Sequence, residues 1–436
     1  MTYKVKFARS RIRQSRSRGQ ARRRVAIIRQ NYIYEPMVQR EAEALVGAGF
    51  DVEVMCMRDH DRPHRVVVNG VTVTSLPVSQ HKGSKARYAF NYGCFFALAA
   101  GTLTMRHIRR PYAAVQANTM PDFLVFAALV PKLFGSRVVV YMHEPTPELA
   151  ETLFGPGLLT RLLAYIEQRS LRFADHAVTV TPQLKQRYVE RGAEPDRITV
   201  VLNCVDPATM LADWTPATVA AKDEFIVVCH GSVEDRYGQD TIIEAAALLR
   251  DEMPDLRVIL TGRGSQVAEL LAAIAAKGLQ DVVRFEGWVS SNQLNDILHS
   301  ADVGIVAQKA SPYSHLVQTN KMVDFWIFGL PVIASRLRAV SEVYDNEVIE
   351  YFEPGDAAGL AAAIRRLHND PDRRVTLAGN GKRAHFRNGW ATQRPIYLGV
   401  FDSLLRRDDD KSEPENFQAT LTSVTAGATG TPRHRR

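Results

Sequence analysis

From residue 25 the chain alternates between two hydrophobic patterns. Short apolar runs rich in Val, Ile and Ala read as buried strands, and between them lie longer stretches with apolar residues at helical spacing. The first run is VAIIRQ (25–30). PMVQREAEALVGAG (36–49) follows as a helix with Pro near its start and Gly49 at its end, and DVEVMCM is the second strand. RVVVNGVTVTSL then gives two alternating runs joined by Asn69-Gly70, the strongest short hairpin signal. Residues 80–110 pass from a basic loop (Lys82, Lys85, Arg87) through an aromatic helix (Tyr88, Phe90, Tyr92, Phe95, Phe96) to Arg106, Arg109 and Arg110. That composition suits a core helix with solvated basic ends, or a helix resting on a lipid surface. AAVQAN (113–118) with the helix PDFLVFAALVPKLFG, RVVVYM (137–142) with GLLTRLLAYIEQRSLRFA, HAVTVT (176–181) with PQLKQRYVERG, and finally RITVVLN complete the first half.

A polar, Pro-bearing stretch at 206–223 reads as a linker, and EFIVVCHG (224–231) opens a second alternating run. Its later strands are LRVILTGRG, VVRFEGWV, VGIVAQ, LPVIAS and VIEYFEPG. Helices are predicted around 239–250, 266–277, 292–299, 320–328 and 357–369. Strands alternating with helices imply right-handed crossovers and mostly parallel sheets, so the fold class is α/β with two Rossmann-like domains, at 25–205 and 224–385. Ligands of such sheets bind at the carboxyl ends of the strands. That rule selects Asn118, Thr119, His143, Glu144 and Asn203 as rim residues of one crevice. The first strand-helix turn, RQNYIYEP, lacks the glycine fingerprint of a dinucleotide site, which argues against a bound dinucleotide.

Length agrees with this division, since 436 residues exceed one ordinary core. Net charge does not describe the fold: residues 1–24 hold ten Lys or Arg and no acid, leaving 45 basic against 47 acidic residues elsewhere. The segment 1–24 is expected to be a disordered arm, either touching anionic lipid or serving only as a leader. No aromatic or amphipathic pattern accompanies its arginines, and no nucleic-acid partner is expected. Residues 408–436 are expected to be a disordered tail. The longest apolar candidate, residues 88–105, is broken by Asn91, Gly93, Gly101 and Thr102, so the expectation is a cytoplasmic protein, peripheral to a membrane at most. Cys56, Cys94, Cys204 and Cys229 are widely spaced and read as reduced thiols, not as a disulfide or metal set.

Chemistry concentrates in QTNKMVDFWIFGLPVIAS (318–335), a polar turn running into a short helix and a strand. Thr319, Asn320 and Lys321 form a candidate phosphate seat, and Asp324 one turn on suits a ribose diol, because an ionised carboxylate accepts two hydrogen bonds. Other strand ends converge on it: Gly231-Ser232 with Arg236 and Gly238, then Gly262-Arg263-Gly264, then Trp288-Val289, where backbone is available to a base. Together these supply phosphate, ribose and base contacts for a nucleoside diphosphate.

Several motifs occur in one order: REAEALVGAG, YMHEPTPEL, IEQRSLRFADHAVTV, VVLNCVD, HGSVEDRYGQDTIIEA, LTGRG, VRFEGWV, LHSADVGIVA, NKMVDFWIFGLPVIAS and FEPGD. From Val25 to about Leu405 the chain thereby resembles the family 4 glycosyltransferases, retaining sugar-nucleotide enzymes of the GT-B fold. The resemblance implies two domains facing each other across a cleft. The first would bind a glycan, lipid-linked or small-molecule acceptor through Asn118 and Glu144, and the second the nucleotide sugar. Residues 386–407 would cross back to the first domain. It implies no cofactor and no metal, and donor contacts from Gly231, Ser232, Arg236, Gly262, Trp288, Val289, Thr319, Asn320, Lys321 and Asp324. Asp324 stands where the family has the second Glu of its paired-glutamate motif, and Leu316 where it has the first. Ser232 and Tyr237 stand where the diphosphate-gripping Arg and Lys belong, so Arg236 and Lys321 are the substitutes, with His143 facing the reacting carbon. A nucleotide-sugar epimerase or hydrolase of the same fold, and an inactive binding homologue, are the alternatives.

Overall fold

The computed structural model describes residues 23–406 except 33–34, 59–62, 80–84, 213 and 217–222. The arm, apart from its last two residues, and the tail from 407 therefore lie outside the described residues. Arg24 belongs to the first strand and not to the arm. It donates to Glu53 and lies near Asp51, so its charge is spent inside the fold.

The first sheet contains β1 (Arg24–Ile28), β2 (Asp51–Arg58), β3 (Arg65–Val68), β4 (Val71–Ser79), β5 (Ala114–Asn118), β6 (Arg137–Met142), β7 (His176–Thr179) and β8 (Ile198–Val200). Their order is β3-β4-β2-β1-β5-β6-β7-β8, parallel except for the β3–β4 hairpin. Asn69 and Gly70 both have positive φ there, as a two-residue primed turn requires. The helices are α1 (Pro36–Gly47), α2 (Lys85–Arg109), α3 (Leu129–Leu133), α4 (Thr146–Phe154), α5 (Leu158–Phe173) and α6 (Pro182–Glu190). Residues expected as one helix after β5 form a tighter 3-10 segment, Asp122–Ala128, and then α3. Pro131 lacks the N–H a continuous helix would need, but is tolerated in the first turn of a new one.

The second sheet is β11-β10-β9-β12-β13-β14, all parallel, built from β9 (Phe225–Ser232), β10 (Leu256–Arg263), β11 (Val283–Phe285), β12 (Val303–Val306), β13 (Val332–Ser335) and β14 (Glu350–Phe352). Around it lie α7 (Pro207–Met210), α8 (Gln239–Leu249), α9 (Val267–Ala276), α10 (Ser291–Ser300), α11 (Lys321–Ile327), α12 (Arg338–Ser341), α13 (Ala357–Asn369) and α14 (Pro371–Asn388). The first part of the expected linker belongs to this domain: Trp214 donates to Asp296 and packs edge-on against Phe328. Gly389 interrupts the last helices, and α15 (Trp390–Leu405) returns to the first domain. There Tyr397 and Phe401 are fully buried, and the Tyr397 hydroxyl donates to Gln116.

Candidate functional site

The strand ends of the two sheets face one cleft, and its first-domain wall is built around His143, the residue after β6. The imidazole stacks on Tyr141 with centroids 4.3 Å apart. Asn118, at the end of β5, places its amide nitrogen 2.7 Å from the Glu41 carboxylate and 3.1 Å from His143 Nε2. An amide has two N–H groups, so one goes to each neighbour; His143 accepts at Nε2 and carries its proton on Nδ1. Gln116 donates to the same Glu41 oxygen and to the Asn118 carbonyl oxygen. Burial pushes Glu41 up to about 7, while burial, with Arg29 and Arg40 nearby, holds His143 well below its ordinary range. The ring is neutral at physiological pH.

These contacts change one expectation. Asn118 has no exposed surface and its amide is fully engaged, so it orients His143 and presents nothing to an acceptor. Glu144, next along the chain, does reach the cleft. It accepts from the Tyr313 hydroxyl of the second domain at 2.6 Å, and burial raises its pKa.

On the opposite wall, β9 and β10 run side by side to their ends, pairing Gly231 with Gly262. Both glycines have positive φ, and a Cβ on Gly262 would collide with the Gly231 carbonyl, so the two turns come this close only as glycines. Gly238, which also has positive φ, lets the turn carrying Arg236 pack against the Ala307 backbone. Ser232 is exposed at the end of β9. Arg236 and Lys321 both lie against the Tyr237 ring, with Arg236 Cζ 4.8 Å and Lys321 Nζ 4.2 Å from its centroid. Lys321 is only 9% exposed, and burial, together with Arg236, lowers its pKa. Thr319 Oγ1 accepts from the Lys321 N–H at 3.4 Å, and Asn320 approaches Met37 of the first domain.

Asp324 does not project freely from α11. It is mostly buried, its oxygen lies 3.5 Å from His230 Nε2, and burial pushes it up to about 7. Burial lowers His230 to about 3, so it is neutral. Trp288 is exposed beyond Gly287, whose carbonyl accepts from the Gly262 N–H and the Thr261 hydroxyl. Leu316 contributes no polar side chain, because it is buried against the first domain and its carbonyl accepts from Thr181. Arg236 Nε, His230 Nε2 and Asn320 Oδ1 are buried without hydrogen-bond partners, a rare condition that a polar ligand would relieve.

Sequence reasoning missed Glu41, Gln116 and Tyr313. The signal for Glu41 was an acid at a buried position of the α1 stripe Val38, Glu41, Ala42, Leu45. An Asp-x-Asp sequence, Asp59-His60-Asp61, follows β2 and lies outside the described residues.

Two facing α/β domains with a cation-bearing cleft and a returning C-terminal helix define the GT-B architecture. Residues 34–204 match the glycosyl transferase 4-like domain and residues 224–370 the glycosyl transferases group 1 domain. The chain belongs to the group 1 glycosyltransferases. Similar curated proteins include the lipopolysaccharide core biosynthesis glycosyltransferase LpsD of Rhizobium meliloti, 32% identical over 52% of this chain and 63% of its own length. Another is the D-inositol 3-phosphate glycosyltransferase of Thermobispora bispora, 26% identical over 55% of this chain and 59% of its own. The matched part thus spans about three fifths of these relatives. In fold the chain is similar to sucrose-phosphate synthase from Thermosynechococcus elongatus, with TM-score 0.70 and 18% identity over 88% of this chain and 99% of that one. It is likewise similar to Anabaena HepE in complex with UDP-glucose, with TM-score 0.67 and 17% identity over 87% and 99%.

Proposed function

We propose that this protein transfers a sugar from a nucleoside-diphosphate sugar to a glycan, lipid-linked or small-molecule acceptor, with retention of anomeric configuration. One observation carries the reading: Arg236 and Lys321 converge on Tyr237 beside the paired glycine turns, across a cleft from a neutral, oriented His143. The two cations would meet the charge developing on the departing diphosphate, and the mostly buried Asp324 would accept from the ribose hydroxyls. His143, with its proton on Nδ1, would face the sugar. The diphosphate itself would take the acceptor proton on the face it leaves. Gly231, Gly262 and the Trp288-Val289 backbone would seat the rest of the nucleotide, and Glu144 would touch the acceptor. HepE was solved with UDP-glucose, which makes a uridine nucleotide the first donor to try. The reading includes peripheral contact with an anionic membrane and needs no cofactor.

The second reading, a binding homologue without turnover, is favoured by Leu316, which leaves the first glutamate position without a carboxylate. Calorimetric titration with UDP, GDP and ADP, followed by turnover of the matching sugar nucleotide with and without acceptors, tests both. Binding with transfer supports the proposal. Binding without any turnover supports the second reading, and no nucleotide binding overturns both.

A further inference from the structure

The first domain leaves a broad apolar surface uncovered by any described residue. From β4 to β5 and onward to β8, successive strands step in one direction across the sheet, so right-handed crossovers place α2, α3, α4, α5 and α6 on a single face. β1 to β2 steps the other way, which puts α1 on the opposite face. Ring contacts Phe96–Phe123 and Phe126–Phe173 lock α2, the 3-10 segment and α5 into one layer.

The outward side of that layer is apolar where solvent would ask for charge. α2 buries Tyr92, Phe95, Ala99 and Leu103, yet its outer stripe is Phe90, Ala97, Leu98, Met105 and Ile108, the last 70% exposed. No acidic residue occurs in its 25 residues, about 37 Å of helix, and Arg109 is exposed at its end. α3 adds Leu133, 74% exposed, and Phe134 after it. On α5 the outer stripe runs Leu158, Leu162, Tyr165, Arg169, Arg172 at spacings of three and four, with Leu158 83% exposed. The only acid of α5, Glu167, is fully buried on the inner side and paired with Arg191.

Apolar tips with arginines and no exposed acid are the chemistry of an anionic lipid surface: the apolar groups enter the headgroup boundary and the cations meet phosphates. We infer that α2, α3 and α5 form one face by which this protein lies on an anionic bilayer. The inference gives a location to the peripheral membrane contact of the function proposed above. α4, nine residues long, joins this face to the Glu144 lip of the cleft, a reach of about 13 Å. A lipid-linked acceptor held in the bilayer would therefore present its head beside the reacting groups.

The test uses the full chain, basic arm included, in flotation assays with phosphatidylcholine vesicles and with vesicles that also carry anionic phosphatidylglycerol. The expected result is binding to the anionic vesicles alone. Leu158→Glu with Leu162→Glu should weaken it more than about tenfold, and Arg169→Glu with Arg172→Glu about thirtyfold or more at low salt, roughly fivefold per cation lost. Val375→Glu, an equally exposed apolar site of the second domain, should change nothing. UDP affinity, measured in parallel, should stay within about twofold for all variants, which reports folding. Wild type that binds neither vesicle overturns the inference. So do α5 variants that bind like wild type, which would assign binding to the arm. A wild-type dimer that Leu158→Glu splits, without vesicle binding, would show a second copy covering the face. Vesicle binding without UDP binding would leave this face standing and remove the donor site, and the converse would do the opposite.

Discussion

Replacing Lys321 with methionine should move stability and ligand affinity in opposite directions. The Lys321 side chain threads between Gly231, where a Cβ would come within 2.7 Å of its Cε, and the Tyr237 ring. Burial is the largest influence on its ammonium and lowers its pKa; Arg236 adds to that, and only Cys229 and Asp324 oppose. A lysine whose folded pKa is depressed makes the charged form costly in the fold. That cost is fully present at pH values below the folded pKa and vanishes above the unfolded pKa near 10.4. Methionine fills similar space without the charge, so the free protein should gain about 1 kcal/mol, or 2–4 °C in Tm for a domain of this size. A bound diphosphate reverses the balance, since it supplies the anion the ammonium lacks. A hydrogen bond between charged partners contributes about 1.5–3 kcal/mol, so UDP affinity should fall about 10- to 150-fold. Calorimetric titration and differential scanning calorimetry on the same preparation read both signs. UDP affinity within twofold of wild type, or a lower Tm with unchanged affinity, would refute a diphosphate role for Lys321.

Asp324→Asn should weaken donor binding by about 1.5–3 kcal/mol at pH 8 and remove its pH dependence. In wild type, affinity should fall as pH drops through about 7, because only the ionised carboxylate accepts from both ribose hydroxyls; titration from pH 5.5 to 8.5 checks this. His143→Ala should lower kcat strongly with UDP affinity nearly unchanged, since the ring belongs to the other wall; a stability loss with normal activity per folded molecule would make it structural. Glu41 has its folded pKa raised, so the native state binds the proton more tightly and stability falls as pH rises from about 4.5 to about 7. Glu41→Gln should therefore match wild type in Tm at pH 5 and exceed it at pH 8, and identical pH profiles would contradict the burial argument. Turnover should persist in excess EDTA if, as proposed, Arg236 and Lys321 take the electrostatic role of a metal, and loss restored by manganese would overturn that assignment.

Much of the architecture was legible along the chain. The central strands coincide with continuous apolar runs, because a strand of a covered parallel sheet is buried on both faces, whereas the antiparallel edge strand β3 is legible only with its hairpin partner. Asn69-Gly70 fixed the hairpin through its need for positive φ. Only one helix, GLLTRLLAYIEQRSLRFA, was expected after β6, so α4 was overlooked, although Pro at the first positions of a helix is compatible with its start. The turns at Gly231 and Gly262 were legible from a glycine at the end of a strand, and both adopt the positive φ that favours glycine.

What sequence alone determined is most of the elements and the faces they bury, because hydrophobic period is a local property of neighbouring residues. Which buried groups meet was decided only by tertiary structure. Glu41 contacts Gln116 and Asn118 from 75 and 77 residues away, and Tyr397 closes the same network from 281 residues beyond Gln116. Periodicity marks Glu41 as inward-facing and Asn118 as a strand end, but carries no information on the partner across the sheet. The tautomer of His143 and the burial of Asn118 both follow from those meetings. They arise because packing α1, α15 and two strand ends around one point removes water and leaves each polar group only the partners the fold supplies.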